Sequence, residues 1–283
     1  MRPVPEQRIL VTGATDGLGK GVAIELAKAG ATVLLHGRDD ERGRSTLSQI
    51  AEATGNDKLW WYRADLASLA EVRELGERVA ADHEQLDALV NNAGIGSNHP
   101  GGGVRQESAD GFELRFAVNY LAGFLLTRLL LARIVSSAPA RIVNVSSAGQ
   151  MPIDFDDVML EHGYDGTRAY CQSKLAQIML TFDLAEELGG AGVTVNCLHP
   201  ATFMPTKMVL AGGGRVASSL EDGVDATTRL VAAPELEETS GRYFNRTQEA
   251  KANDQAYDPG ARRRLRQLSE QLTGTAPAGA RGA

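Results

Sequence analysis

Short apolar runs alternate along this chain with stretches in which apolar residues recur every three to four positions. Ile9–Val11 is the first run, too short for a buried helix and closed by a glycine-rich turn, so it reads as a strand. Gly19–Ala29 follows with Val22, Ala23, Leu26 and Ala27 on one helical face, and Gly30 supplies a C-terminal cap. The same alternation predicts strands at Thr32–Leu35, Leu59–Tyr62, Leu86–Val90, Arg141–Val145 and Val193–Leu198, with a further one at Gly241–Phe244. Between them fall helices at Glu41–Ala53, Leu69–Ala81 and Phe112–Val135, and one that carries Tyr170 and runs to about Leu188. Strands that are apolar throughout and separated by helices specify a parallel sheet covered on both faces. No linker divides the pattern, which makes 1–283 one α/β domain, with flexible tails expected at 1–7 and 275–283.

Composition narrows the function classes. A chain of 283 residues with 43% hydrophobic content and 31 glycines fits a globular fold with many tight turns. A net charge of −7 argues against a general nucleic-acid binder. Cys171 and Cys197 form neither a disulfide framework nor a zinc cluster, no metal site is expected, and a reducing compartment, the cytoplasm, is the expectation. Met1–Gln7 has no apolar core of a secretory signal, and Tyr120–Val135, the most apolar run, contains Arg128 and Arg133, so it is expected as a buried helix and not a membrane span.

Three motifs carry candidate chemistry. Tyr170 and Lys174 stand four apart on one helical face, where the ammonium is expected to favour phenolate and bring the phenol's pKa down from about 10. Thr12–Gly13–Ala14–Thr15–Asp16–Gly17–Leu18–Gly19 links the first strand to the first helix, the place where glycines admit a pyrophosphate to a helix N-terminus. Its spacing is G-x-x-x-G-x-G and not the G-x-G-x-x-G of the usual dinucleotide fingerprint. Asn91–Asn92–Ala93–Gly94 follows the fourth strand.

Together these motifs, over roughly Arg8–Thr206, resemble the short-chain dehydrogenase/reductase family, and the long interval from Ser147 to Tyr170 resembles its retinol-dehydrogenase-like branch. The resemblance implies a Rossmann-type doubly wound parallel sheet and a catalytic set of Asn119, Ser147, Tyr170 and Lys174. Tyr170 is then the proton donor or acceptor and Ser147 the hydrogen bond to the reacting oxygen. Lys174 stabilises the phenolate and holds the nicotinamide ribose, and Asn119 fixes a water that links Lys174 to solvent. Cofactor contacts are implied at Gly13, Thr15, Gly17, Leu18, Gly19, Arg38, Asp65, Leu66, Asn92, Ala93, Gly94, Tyr170, Lys174 and Thr206. Asp65 faces the adenine and Thr206 the carboxamide in this implied set.

Cofactor preference is legible at the end of the second strand. Gly37 stands where an NAD enzyme carries a carboxylate, and Arg38 next to it suits a 2′-phosphate. NADP(H) is expected over NAD(H), although Asp16 and Asp39 add negative charge nearby. The partner is a small carbonyl or alcohol, plausibly lipophilic; the alternatives are an NAD-linked alcohol dehydrogenase and a non-catalytic dinucleotide-binding regulator. Met151, Ile153 and Phe155, with Met204 and Met208, either line an apolar pocket or bury one another under loops. Ala201 departs from the family's Pro-Gly, His199 is expected to be structural, and Arg262–Arg266 is expected on a solvated helix face. Pairing of family members through their long helices implies a homodimer or homotetramer.

Overall fold

Apolar residues dominate both faces of the central strands, and in the computed structural model, which describes residues 1–97, 103–210 and 215–275, they build one sheet enclosed by helices. In chain order the first half runs β1 (Arg8–Val11), α1 (Gly17–Lys28), β2 (Thr32–Gly37), α2 (Asp40–Thr54), β3 (Leu59–Arg63), α3 (Leu69–Asp82) and β4 (Ala88–Asn91). Then come α4 (Leu114–Phe116), a π-helical turn at Ala117–Leu121, α5 (Ala122–Ser136), β5 (Ala140–Val145), α6 (Gly166–Glu187) and β6 (Val193–His199). The chain continues through α7 (Lys207–Leu210), α8 (Leu220–Ala232), β7 (Arg242–Asn245), β8 (Gln248–Glu249) and α9 (Pro259–Thr273). The sheet order is β3-β2-β1-β4-β5-β6-β7-β8, parallel up to β7, with β8 antiparallel at the edge. Strand order reverses between β1 and β4, which opens a crevice at their carboxyl ends.

The two faces bury separate cores. Val72, Phe124, Ile178 and Leu265 represent α3, α5, α6 and α9 on one side; Val22, Ile50 and Leu230 represent α1, α2 and α8 on the other. Local signals start the helices: Asp39 accepts from Arg42 N at 2.9 Å, and Asp165 from Thr167 N at 2.6 Å. Ser219 and Asp222 form a reciprocal capping box on α8.

Four expectations are corrected. The single helix expected over Phe112–Val135 is interrupted by the π-turn, which inserts an extra residue where Asn119 sits. Helix α8 and strand β8 were absent from the sequence reading. Residues 1–7 are tied down: Arg2 donates to Asp87 and to Ser137 O, each at 2.7 Å, the Met1 ammonium pairs with Glu237, and Gln7 is buried. Of the expected C-terminal tail, 276–283 lies outside the described residues. Finally, the basic run is only in part a solvated face. Arg263 and Arg264 are exposed, but Arg262 is buried against Ala256 O and Glu186 and Arg266 pairs with Asp183 at 3.2 Å, so these two side chains fasten α9 across α6.

Helix α6 is consequently enclosed. Every residue from 171 to 184 is buried within this one chain. The segment Leu114–Ser136 is long and apolar enough to cross a bilayer, but Phe116, Tyr120, Phe124 and Leu125 are wholly buried in the core, as a core helix requires.

Candidate active site

The turns after β1 and β4 meet at the reversal point, and Thr12 laces them together. Its hydroxyl accepts from Asn92 N at 2.9 Å and Ala93 N at 3.0 Å, while Asn92 Nδ2 donates to Thr12 O at 2.7 Å. The closeness explains the glycines. A Cβ on Gly19 would lie 2.3 Å from Gly13 O, and one on Gly13, at φ +67°, 2.9 Å from Ala93 Cα. These two glycines therefore serve the packing of one turn on the other, as well as leaving the turn's surface free of side chains.

A cavity of about 760 Å³ extends from this crevice in both directions. It is lined by Gly13, Thr15, Gly17, Leu18, Gly19, Arg38, Asp65, Leu66, Asn92, Ala93, Gly94, Ser147, Tyr170, Lys174 and Thr206, so every expected cofactor contact faces one space. At the β2–β3 end, Arg38 is exposed and is joined by exposed Arg42 from the first turn of α2. Asp39 is engaged as the α2 cap, and Asp65 accepts from Ala67 N at 3.0 Å to turn the chain. His36 is buried behind them. Its Nδ1 accepts from Gly13 N at 3.3 Å and its Nε2 lies 3.1 Å from Ala64 O, which sets the Nε2–H tautomer. Burial, partly offset by Ala64 and Asp65, lowers its pKa to about 4. Across the mouth Asp16 pairs with Lys207 at 2.5 Å. Burial opposes ionisation of Asp16, yet Lys207 and the Gly17 N–H outweigh it and its carboxyl titrates below the usual range.

The other end is more deeply buried. Ser146 and Ser147 follow β5, where the Ser146 hydroxyl donates to Lys174 O at 2.7 Å and pins α6 to the sheet. Ser147 Oγ accepts from Gly149 N at 3.1 Å and makes a hydrogen bond with the half-buried Tyr170. Lys174 is 4% exposed, and its ammonium donates to Val145 O at 3.0 Å and Gln177 Oε1 at 2.9 Å. Burial alone lowers its pKa to about 7. The expected effect of this pair on the phenol is therefore corrected. Burial raises the pKa of Tyr170 and the Ser147 hydrogen bond only partly offsets it; Lys174 Nζ lies 5.8 Å from the ring centroid and is not among the groups that lower it.

Asn119 does not line the cavity. The π-turn places it behind Gly94, where it accepts from Ile95 N at 2.8 Å and donates to Ile95 O at 3.1 Å and Ser173 Oγ at 3.0 Å. It thus holds the Asn91–Gly94 segment against α6. Beneath it a buried chain of Asn91, Asn144 and Thr181 crosses β4, β5 and α6, with links of 2.9 Å, and ends on Gln177 O at 2.8 Å.

Ile95, Leu114, Val118, Met204 and Met208 give the reactive end an apolar wall. Met151, Ile153 and Phe155 line none of it: Ile153 is buried in the α6 core and Phe155 lies under the Arg264 guanidinium at 4.8 Å. The wall's shape is set instead by fully buried Arg115, which donates to Gly96 O at 3.1 Å, Ser97 O at 2.9 Å and Tyr164 OH at 2.6 Å. His199, expected to be structural, lines the cavity; it is largely buried with Nε2 3.0 Å from Thr202 Oγ1, and burial takes its pKa to about 4. His36, Arg42, Thr12 and Arg115 were missed by sequence reasoning. Only Arg42 carried a signal, one helical turn after Arg38.

Comparison with known proteins adds ancestry to this geometry. Residues 7–211 match the short chain dehydrogenase family. Retinol dehydrogenase 13 of Mus musculus is 39% identical over 97% of this chain and 86% of its own length. Among solved structures, an uncharacterised protein of Mycobacterium paratuberculosis superposes with a TM-score of 0.75 at 29% identity, covering 95% of this chain and 94% of its own. A short chain dehydrogenase of Escherichia coli CFT073 complexed with NADPH gives 0.69 at 28% identity, over 85% and 96% of the two chains. With its doubly wound sheet, laced glycine turn and Ser147–Tyr170–Lys174 grouping, the chain belongs to the short-chain dehydrogenase/reductase family, on its retinol-dehydrogenase-like side.

Proposed function

We propose that this protein is an NADP(H)-dependent oxidoreductase that interconverts a carbonyl and an alcohol by hydride transfer, with Tyr170 as general acid and base. One observation carries the reading: a single cavity has two guanidiniums, Arg38 and Arg42, at one end and Ser147, Tyr170 and Lys174 at the other. The residues fit a dinucleotide. The floor between the two ends is glycine-built and closed to any Cβ, and the positive end suits a 2′-phosphate. The NADPH complex of the Escherichia coli relative supports the same cofactor.

Bound NADP(H) supplies or accepts the hydride. The protein's part is position and charge. Tyr170 gives its proton to the carbonyl oxygen on reduction and takes one back on oxidation. Ser147 donates a hydrogen bond to the same oxygen as charge develops there. Lys174, with one N–H left beyond its bonds to Val145 O and Gln177, serves the ribose hydroxyls. Burial keeps the Tyr170 phenol protonated at rest and makes it a weaker acid, so proton exchange at neutral pH calls for a positive charge beside it. The apolar wall of Ile95, Val118 and Met204 suits a mid-sized lipophilic ketone, aldehyde or alcohol, in keeping with the retinol dehydrogenase relatives.

Steady-state assays with NADPH over a panel of lipophilic aldehydes and ketones test the reading. Tyr170→Phe is expected to reduce turnover by about 10²–10⁴ while nicotinamide fluorescence shows cofactor binding intact. Survival of full activity in that variant refutes the proton-transfer role, and tighter binding of NADH than NADPH refutes the part given to the arginines.

A further inference from the structure

We propose that Gln177 is a positioning residue whose side-chain oxygen fixes the Lys174 ammonium at the reactive end of the cavity. This inference deepens the function proposed above and rests on it for its catalytic meaning, but the contact itself does not. Gln177 lies one helical turn after Lys174 on α6, 4% exposed, beside the buried Asn91–Asn144–Thr181 chain. A buried amide in such a place is costly unless its polar atoms are used. Its Oε1 accepts from Lys174 Nζ at 2.9 Å.

The need for that acceptor follows from what surrounds the ammonium. On α6 itself the one ionisable group facing it among the described residues is Tyr170, whose ring centroid is 5.8 Å away. From β5 it meets Val145 O at 3.0 Å, and from the segment after β4 the backbone of Gly94; Asn119, beside Gly94, is neutral. No carboxylate contributes to its titration, which burial alone displaces. A lysine taken out of water without a counter-ion keeps its proton only as far as neutral oxygens solvate it. Val145 O is main chain and belongs to the sheet. Gln177 Oε1 is therefore the side-chain group through which the position and charge of Lys174 are set. Its backbone carbonyl, bonded by Thr181, anchors the residue to the buried Asn91–Asn144 chain, so the acceptor is held from behind.

NMR titration of ε-carbon-labelled lysine in the protein without nucleotide reads this directly, with the Lys174 signal assigned through Lys174→Arg. Gln177→Leu is expected to lower the Lys174 midpoint by about one pH unit or more, and Gln177→Glu to raise it by a similar amount. Gln177→Asn, with the amide kept on a shorter stem, falls between wild type and the leucine variant. NADPH titrations by nicotinamide fluorescence should show binding to the leucine variant weakening more steeply as pH rises, and the alkaline limb of kcat/KM should move with the NMR midpoint. A purely structural glutamine would move none of these with the sign of the substituted charge. If the midpoint is the same in wild type and Gln177→Glu, the proposal fails; that variant is nearly isosteric and decides the matter even where Gln177→Leu does not fold. A midpoint that follows residue 177 in a protein that turns over no carbonyl supports the positioning role and removes the enzymatic one. A midpoint indifferent to residue 177 in an enzyme silenced by Tyr170→Phe does the reverse.

Discussion

The two ends of the cavity solve electrostatic recognition in opposite ways. At the β2–β3 end the cations are Arg38 and Arg42, long, exposed and free to move in water. At the α6 end the cation is Lys174, buried, without a carboxylate partner and held by two neutral oxygens. Exposed charges attract a doubly charged phosphate from a distance but are worth little each, and salt weakens them. A desolvated charge acts strongly over a short range and is itself sensitive to pH. In the proposed reaction, selection of the nucleotide and control of the proton are thus separated in space and governed by different solvent conditions.

That separation can be broken or sharpened by experiment. After Tyr170→Phe, the largest effect is expected from Ser147→Ala, which removes the hydrogen bond at the proposed reacting oxygen and should reduce kcat by about 10²–10³ with NADPH affinity unchanged. Equal losses in both would mean the two ends are one unit. A smaller effect is expected at His36, which joins the glycine turn to the end of β3. Its folded pKa of about 4 lies below the unfolded value of about 6.5, so the unfolded chain binds the extra proton between those values. The stability due to its neutral ring is complete above about pH 6.5 and is lost as pH falls toward 4. The loss between pH 7 and pH 5 is on the order of 2 kcal/mol. Thermal melts at the two pH values should show a shallower decline in Tm for His36→Gln, reduced and not abolished, because His199 contributes with the same sign. The smallest effects belong to Arg38→Ala and Arg42→Ala. Each should reduce the preference for NADPH over NADH about fivefold, and added salt should narrow the preference of the wild type while leaving the Ser147 effect alone.

Much of this architecture was legible before any coordinates because strands buried on both faces announce themselves. Ile9–Val11, Thr32–Leu35 and Arg141–Val145 need no partner to read as β. The glycine turn, Asn91–Gly94 and the Tyr170–Lys174 spacing marked the crevice for the same reason: each is a local backbone requirement. What stayed hidden depends on partners distant in sequence. The π-turn at Asn119 lies in a segment apolar all round, where a change of helical period leaves no trace. Helix α8 is small and polar on its outer face, although Ser219 and Asp222 did mark its start. Arg262 and Arg266 of α9 look solvated until Glu186 and Asp183 are brought to them. The ionisation of Tyr170 was misjudged because spacing on a helix reports proximity and says nothing of burial, and at this site desolvation raises the phenol's pKa while the neighbouring amine does not lower it.

The clasp of α9 over α6 has a consequence for how the protein behaves at low concentration. The helix that bears the reactive phenol and amine is walled in by its own polypeptide on every side from 171 to 184. Burial of this stretch does not depend on a second copy of the chain, and its amides are accordingly expected to stay protected from hydrogen exchange on dilution.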